Sequence, residues 1–260
     1  MTERNLKRHD LEDLTIVVTG SSSGIGRTTA LAMAARGANV VVHARGNQTA
    51  AEAVAAEIES LGRSAVVLLG DLASEDAQDN LLDRAWAWRD GVDVWMNNAG
   101  VDVLTGEAAQ WSFERKLSEI LAVDVRATIR LSRGVGQRMK QRGQGVILNV
   151  GWDQAEHGMA GDSGEMFAAA KGAVMAFSRS LAQSLAPEVR VNCIAPGWIR
   201  TQWGEQQASP QWNRRAVDES LAGRWGRPAD VAELACFLAS PAASFINGQV
   251  IAVNGGWKRA

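Results

Sequence analysis

Thr19-Gly20-Ser21-Ser22-Ser23-Gly24-Ile25-Gly26 is the pivot of this 260-residue sequence. It follows an apolar run, Thr15-Ile16-Val17-Val18, with the makeup of a buried strand. It precedes residues 27–36, rich in the Ala, Leu and Met that favour a helix. A strand, a glycine turn and a helix in that order build an anion site. Gly20 supplies the positive φ of a tight turn, Gly24 lets a pyrophosphate approach the main chain, and Gly26 lets helix and strand pack closely. The unpaired amides of the first helical turn then face the phosphates.

Outward from that turn, strands and helices alternate. Residues 39–43 (Asn-Val-Val-Val-His), 64–69, 92–96, 146–150, 189–194 and 249–253 read as further short strands. Between them, 49–61, 75–89, 112–139, 163–185 and 229–239 have helical patterning, with Val54, Ile58 and Leu61 on one face of the first of these. Apolar strands separated by helices call for a seven-stranded parallel sheet covered on both faces. The expected class is therefore a doubly wound, Rossmann-type α/β fold whose ligands gather at the carboxyl ends of the strands. No Pro- or Ser-rich linker divides the chain, so a single dinucleotide-binding domain over residues 1–260 is expected.

Composition narrows the partners. The 27 basic and 29 acidic residues leave a net charge of -2, which gives no general attraction to nucleic acid or an anionic membrane and favours a small-molecule partner. Cys193 and Cys236 show neither metal-site nor disulfide spacing and sit among apolar residues, as buried thiols in a reducing compartment do. Residues 1–13 mix charges of both signs without an apolar core, unlike a signal peptide, and no apolar stretch is long enough to cross a bilayer. A cytoplasmic location and no metal site are the expectations.

Polar groups cluster at the expected carboxyl ends. Arg45, just past the second strand, stands where an acidic residue would bind the ribose 2′-hydroxyl of NAD; an arginine suits a 2′-phosphate, so NADP is expected, with NAD as the alternative. Asp71, followed by Leu72, can accept a hydrogen bond from an adenine amino group or open the next helix. Asn97-Asn98-Ala99-Gly100 ends the fourth strand, and paired asparagines there need partners because strands disfavour them.

The chain resembles the short-chain dehydrogenase/reductase family from Thr15 to Trp257. The resemblance rests on the 19–26 turn, Asp71, Asn97-Asn98-Ala99-Gly100, Lys171, Arg190-Val-Asn-Cys-Ile-Ala-Pro-Gly197 with Thr201, and Gly248-Gln249-Val250-Ile251 through Gly255-Gly256. It implies that Gly20, Ser22, Ser23, Gly24, Ile25 and Gly26 bind pyrophosphate and that Asp71 and Leu72 lie beside adenine. Asn97 would tie the central strand to its neighbour, with Asn98, Ala99 and Gly100 along the dinucleotide. Lys171 would bond the nicotinamide ribose, and Pro196, Gly197, Ile199 and Thr201 would hold the nicotinamide end. A homotetramer or homodimer is implied as well.

The chemistry departs from that family. Its members move hydride between a dinucleotide and a carbonyl or alcohol, using a Tyr-x-x-x-Lys pair, an upstream serine and a helix asparagine. Here the pair reads Phe167-Ala-Ala-Ala-Lys171, and the chain contains no tyrosine at all. The serine position falls on Gly151 or Trp152, and the asparagine position on Asp124. A positioned acid is worth roughly 10²–10⁴-fold in rate, and a phenyl ring supplies none. Asp124 shares a stripe with Leu117, Leu121, Thr128 and Leu131 and should point inward, as either the partner of Lys171 or a proton carrier. In the segment after the fifth strand, His157 is a substitute acid by chemistry, with Asp153, Glu156 and Glu165 as weaker candidates.

Ten tryptophans complete the picture. A lid is expected at about 198–227, and Trp198, Trp203, Trp212 and Trp225, with Trp152 and Phe167, can wall a pocket for a flat, apolar or sugar-like ligand, or a cation. Trp86, Trp88, Trp95 and Trp111 are assigned to packing. Three functions compete: an NADP-dependent oxidoreductase with a substituted proton route, a nucleotide-binding pseudoenzyme that partners an active paralogue in a mixed oligomer, and a cofactor-retaining lyase or isomerase using Asp124, His157 or Asp153.

Overall fold

The computed structural model describes residues 10–201 and 210–258. Seven strands form one parallel sheet in the order β3-β2-β1-β4-β5-β6-β7. They are β1 (Thr15–Val18), β2 (Asn39–Ala44), β3 (Ala65–Leu69), β4 (Val94–Asn97), β5 (Gly145–Val150), β6 (Val189–Pro196) and β7 (Val250–Val253). The strand positions match the sequence expectation; β4 starts two residues later than expected, and β6 continues to Pro196. Val and Ile dominate these strands because both faces are buried, and a branched Cβ packs well on a pleated surface.

Helices α1 (Gly24–Ala35), α2 (Gln48–Ser60) and α8 (Pro228–Ala239) cover one face. There Ile16, Val18, Val40 and Val42 meet Ala30, Met33, Val54, Ile58 and Val231. On the other face Val17, Val41, Trp95 and Ile147 pack with residues of α3 (Glu75–Trp88), α5 (Thr128–Arg142) and α6 (Asp162–Leu185). The alternation of Ile16 and Val18 against Val17 is the period of two that a strand imposes on its side chains. Trp86, Trp88 and Trp95 belong to this second layer, as expected. Both cysteines are buried and free, and burial pushes the Cys193 thiol up to about 11 and that of Cys236 to about 12.

The stretch expected as one regular helix over 112–139 is three pieces in line: α4 (Phe113–Ile120), a π turn at Leu121–Ala127 and α5. The extra residue of the π turn breaks the 3.6 stripe, so Leu121 is 45% exposed while Asp124 is 1% exposed. Asp124 thus points inward as expected, but Leu121 does not share its face. Among the described residues no helix is long and apolar enough to cross a membrane, and no group of three His, Cys, Asp or Glu could hold a metal ion. α7 (Pro210–Asp218) follows the undescribed residues 202–209.

Sheet order reverses between β1 and β4, the place where a doubly wound sheet opens a crevice at its carboxyl edge. A buried polar network pins the floor of that crevice. Asn97 and Asn149 are paired in register, and Asn97 Nδ2 donates to Asn149 Oδ1 (2.8 Å) and to Ser132 Oγ (2.8 Å). Trp95 Nε1 donates to Asn97 Oδ1, and Asn149 Nδ2 to Ser178 Oγ. Asn97 therefore ties β4 to β5, and the network also reaches α5 and α6.

Candidate active site

The glycine turn is held by its neighbours in the sheet. His43, at the end of β2, accepts from Gly20 N at Nδ1 (3.1 Å), and its Nε2 meets Gly70 O (3.0 Å), which fixes the tautomer with the proton on Nε2. Ser21 N donates to His43 O, and His43 N donates to Ser21 Oγ. Burial lowers the His43 pKa to about 4, so the ring stays neutral and keeps its acceptor for Gly20. On the other side Asn98 Nδ2 donates to Thr19 O (2.9 Å) and Gly20 O (3.2 Å), while Asn98 N and Ala99 N donate to Thr19 Oγ1.

This clamping leaves no room at Gly26, where a Cβ would lie 2.3 Å from Gly20 O and 2.5 Å from Asn98 Nδ2. Gly20 and Gly24 adopt φ of 63° and 54°. Ser23 at the start of α1 makes no side-chain cap, and the first turn of α1 carries no acidic residue. Its leading amides are therefore open to an anion.

Gly20, Ser22 and Ser23 line a cavity of about 500 Å³ together with Arg45, Asp71, Leu72, Asn98, Ala99 and Gly100. Arg45 is exposed at its edge. Asp71 Oδ1 accepts from Ala73 N (2.9 Å), so it also shapes the approach to α3. Trp111 lines this cavity too, which corrects its assignment to packing away from the cleft; the Arg115 guanidinium lies 3.8 Å from its ring centroid. The reason is the irregular stretch after β4, which carries Trp111 back over the crevice ahead of α4.

Asn98, Gly100, Val101 and Asp102 are shared with a second cavity of about 520 Å³. Ile25, Pro196, Gly197, Ile199 and Thr201 line it, with Asp124 and Lys171 below and Trp152, Phe167, Trp198, Trp212 and Trp225 as aromatic walls. Trp203 lies outside the described residues. Lys171 Nζ is 2.8 Å from Asp124 Oδ1 as an ion pair without aligned hydrogen-bond geometry, and it donates to Val150 O (3.2 Å). Asp124 Oδ2 accepts from Val101 N (2.8 Å). Both side chains are buried, and Gly100 lies so close that a Cβ there would meet Asp124 Oδ1 at 2.6 Å. The pair is therefore built into the floor of the cavity by β4, the π turn, β5 and α6.

His157 is not brought to this floor. It is exposed, stacks on Trp257 (5.2 Å between centroids) and does not line the cavity, because the segment after β5 turns it outward. Glu156 pairs at the surface with Arg179, and Glu165 is exposed. Asp153 is buried behind Gly197, where Asn254 Nδ2 donates to its Oδ2 (3.0 Å). Burial raises its pKa to about 6 despite that bond. Asp162, the last residue of the titratable segment after β5, lines the second cavity, as do Asp102 and Ser163, which sequence reasoning missed. Lys116, a buried residue of α4, donates to Ser163 Oγ (2.9 Å) and pairs with Asp162 (3.2 Å).

Comparison with known proteins finds the same architecture. Residues 20–258 match the family model described as Enoyl-(Acyl carrier protein) reductase. A 3-oxoacyl-(acyl-carrier-protein) reductase of Synechocystis is 34% identical over 248 residues, covering 92% of this chain and 95% of the relative. A structure of 7α-hydroxysteroid dehydrogenase complexed with NADH and 7-oxo glycochenodeoxycholic acid superposes with a TM-score of 0.88 at 31% identity, covering 98% of each chain. A gluconate 5-dehydrogenase from Burkholderia cenocepacia in complex with NADP and tartrate gives a TM-score of 0.84 at 28% identity, covering 96% of this chain and 97% of the other.

Proposed function

This chain belongs to the short-chain dehydrogenase/reductase family, and we propose that it is an NADP-dependent oxidoreductase acting on a small carbonyl or alcohol, with Lys171 as its proton donor. The uncapped first turn of α1 and the two contiguous cavities fit an extended dinucleotide. The amides at Ser22–Ile25 hold the pyrophosphate, Asp71 and Leu72 flank the adenine, and Arg45 meets a 2′-phosphate, which favours NADP over NAD. Pro196, Gly197, Ile199 and Thr201 border the nicotinamide end; of the lid expected at about 198–227, residues 202–209 lie outside the described residues. The bound nicotinamide supplies or accepts the hydride.

The single observation that carries the reading is the Lys171–Asp124 pair on the floor of the aromatic cavity. Negative charge grows on a carbonyl oxygen as hydride arrives, and a preorganised N–H donor aimed at that oxygen stabilises it. An ammonium has three N–H donors, and Val150 O takes one. Lys171 therefore keeps a proton for an oxygen in the cavity, and Asp124 holds the ammonium in place while that proton moves.

A second reading has its own support. On the resemblance, Phe167 stands at the family's tyrosine position and Gly151 or Trp152 at its serine position, which suits a nucleotide-binding subunit without turnover, as a homotetramer or homodimer or beside an active paralogue. Calorimetry with NADP and NAD, followed by NADPH consumption against small carbonyl compounds, separates the two. Tighter binding of NADP and measurable consumption are expected. Heat with neither nucleotide overturns both readings, and flat traces beside tight binding leave only the second.

A further inference from the structure

We infer that the second cavity selects an uncharged, ring-bearing ligand and rejects carboxylates, and that Asp124 sets this preference by neutralising Lys171. The inference rests on the reading that this cavity takes the substrate. Among the described residues Lys171 is the only cation that lines it, against the carboxylates of Asp102, Asp124 and Asp162. Asp124 lies 2.8 Å from the ammonium, and Asp162 is countered from behind by Lys116. Asp102 accepts from Leu104 N and Thr105 N and from the Thr105 hydroxyl. A carboxylate entering this space loses its water and finds the one available cation already matched, so its desolvation is not offset.

The walls give the shape. Trp198 packs 5.0 Å from Trp212 and 6.5 Å from Trp225, and Trp152 meets Phe167 edge to face, so two groups of packed aromatic rings line the cavity. Two arginines lie close but do not line it. The Arg215 guanidinium is 5.6 Å from the Trp198 centroid and 5.1 Å from that of Trp212, and it pairs with Glu219. The Arg200 guanidinium is 5.5 Å from the Trp225 centroid. These cations already engage the indole faces that would attract a cationic ligand, which leaves apolar ring contact as the main attraction.

Benzaldehyde, 4-carboxybenzaldehyde and 4-(trimethylammonio)benzaldehyde share a ring and a carbonyl and differ in charge. Isothermal titration of each into the full chain without nucleotide tests the inference. Benzaldehyde is expected to bind at least about tenfold more tightly than the carboxylate, a difference of about 1.4 kcal/mol. Asp124→Asn frees the ammonium and should collapse or invert that ratio. Asp102→Asn, on an exposed loop, should raise affinity for the carboxylate about threefold at low salt, and Trp212→Ala should weaken benzaldehyde. Equal binding of the carboxylate, tighter binding of the trimethylammonium probe, no binding of benzaldehyde, or a ratio unmoved by both Asp variants overturns the inference. Because no nucleotide and no turnover enter the measurement, its failure is distinct from absence of hydride transfer.

Discussion

The Phe167 ring meets Trp152 edge to face, with centroids 4.9 Å apart and planes at 82°. By the family resemblance Phe167 stands at the tyrosine position and Gly151 or Trp152 at the serine position, and neither ring of this contact carries a hydroxyl. Phe167→Tyr combined with Trp152→Ser should therefore raise kcat for carbonyl reduction by roughly 100-fold or more, within the range a positioned acid supplies. Phe167→Tyr alone should give less, because the indole it leaves in place supplies no second hydroxyl. Steady-state NADPH consumption measures both.

Removing one partner of a buried ion pair costs more than the pair contributes, since the survivor stays charged and desolvated. Lys171 and Asp124 have side chains 7% and 0% exposed. Asp124→Ala should destabilise the chain by about 3–5 kcal/mol, read as a lower urea midpoint. Asp124→Asn should cost less, because its amide oxygen can still accept from Val101 N.

Gly26→Ala should abolish the heat of nucleotide binding. The added methyl would collide with the Gly20 carbonyl, which is backbone and cannot rotate away, so the turn must open. Circular dichroism should show the fold retained while the calorimetric signal is lost.

Two buried titratable groups push stability in opposite directions with pH. The folded His43 pKa lies near 4, below its ordinary 6.5, so the native state binds fewer protons and its stability falls as pH drops from about 6.5 to 4. Asp153 has a folded pKa raised from 3.8 to about 6, so its contribution is present below 3.8 and is lost as pH rises through 6. Asp153→Asn should thus stabilise the chain by about 2–3 kcal/mol at pH 8 and by almost nothing at pH 3.5. Urea denaturation at the two values checks the sign.

The strands and the glycine turn were legible because short β-branched runs and a strand–turn–helix order have few other readings. Asp124 was legible as an inward group from its helical stripe, with pairing to Lys171 as one of two readings, while Lys171 itself was legible only through the family resemblance. The π turn was hidden, since one extra residue leaves composition unchanged and shows only in Leu121 turning outward. His43 read as the last residue of a strand; its bridge from Gly20 to Gly70 exists only once β1, β2 and β3 lie side by side. His157 was chosen for its chemistry, but the direction of a loop side chain is set by packing against Trp257, which lies a hundred residues further along the chain.

The π turn also divides the labour of one long helix. Upstream of it, Lys116 serves the start of α6; downstream, Ser132 serves the asparagines of the sheet. Each residue added to or removed from a helix rotates what lies beyond by about 100°. The turn therefore acts as a phase shifter, and excising a single residue from 121–127 would swing Lys116 away from Asp162 while Ser132 stayed beneath Asn97. The pocket wall could then be re-aimed without disturbing the register of the strands.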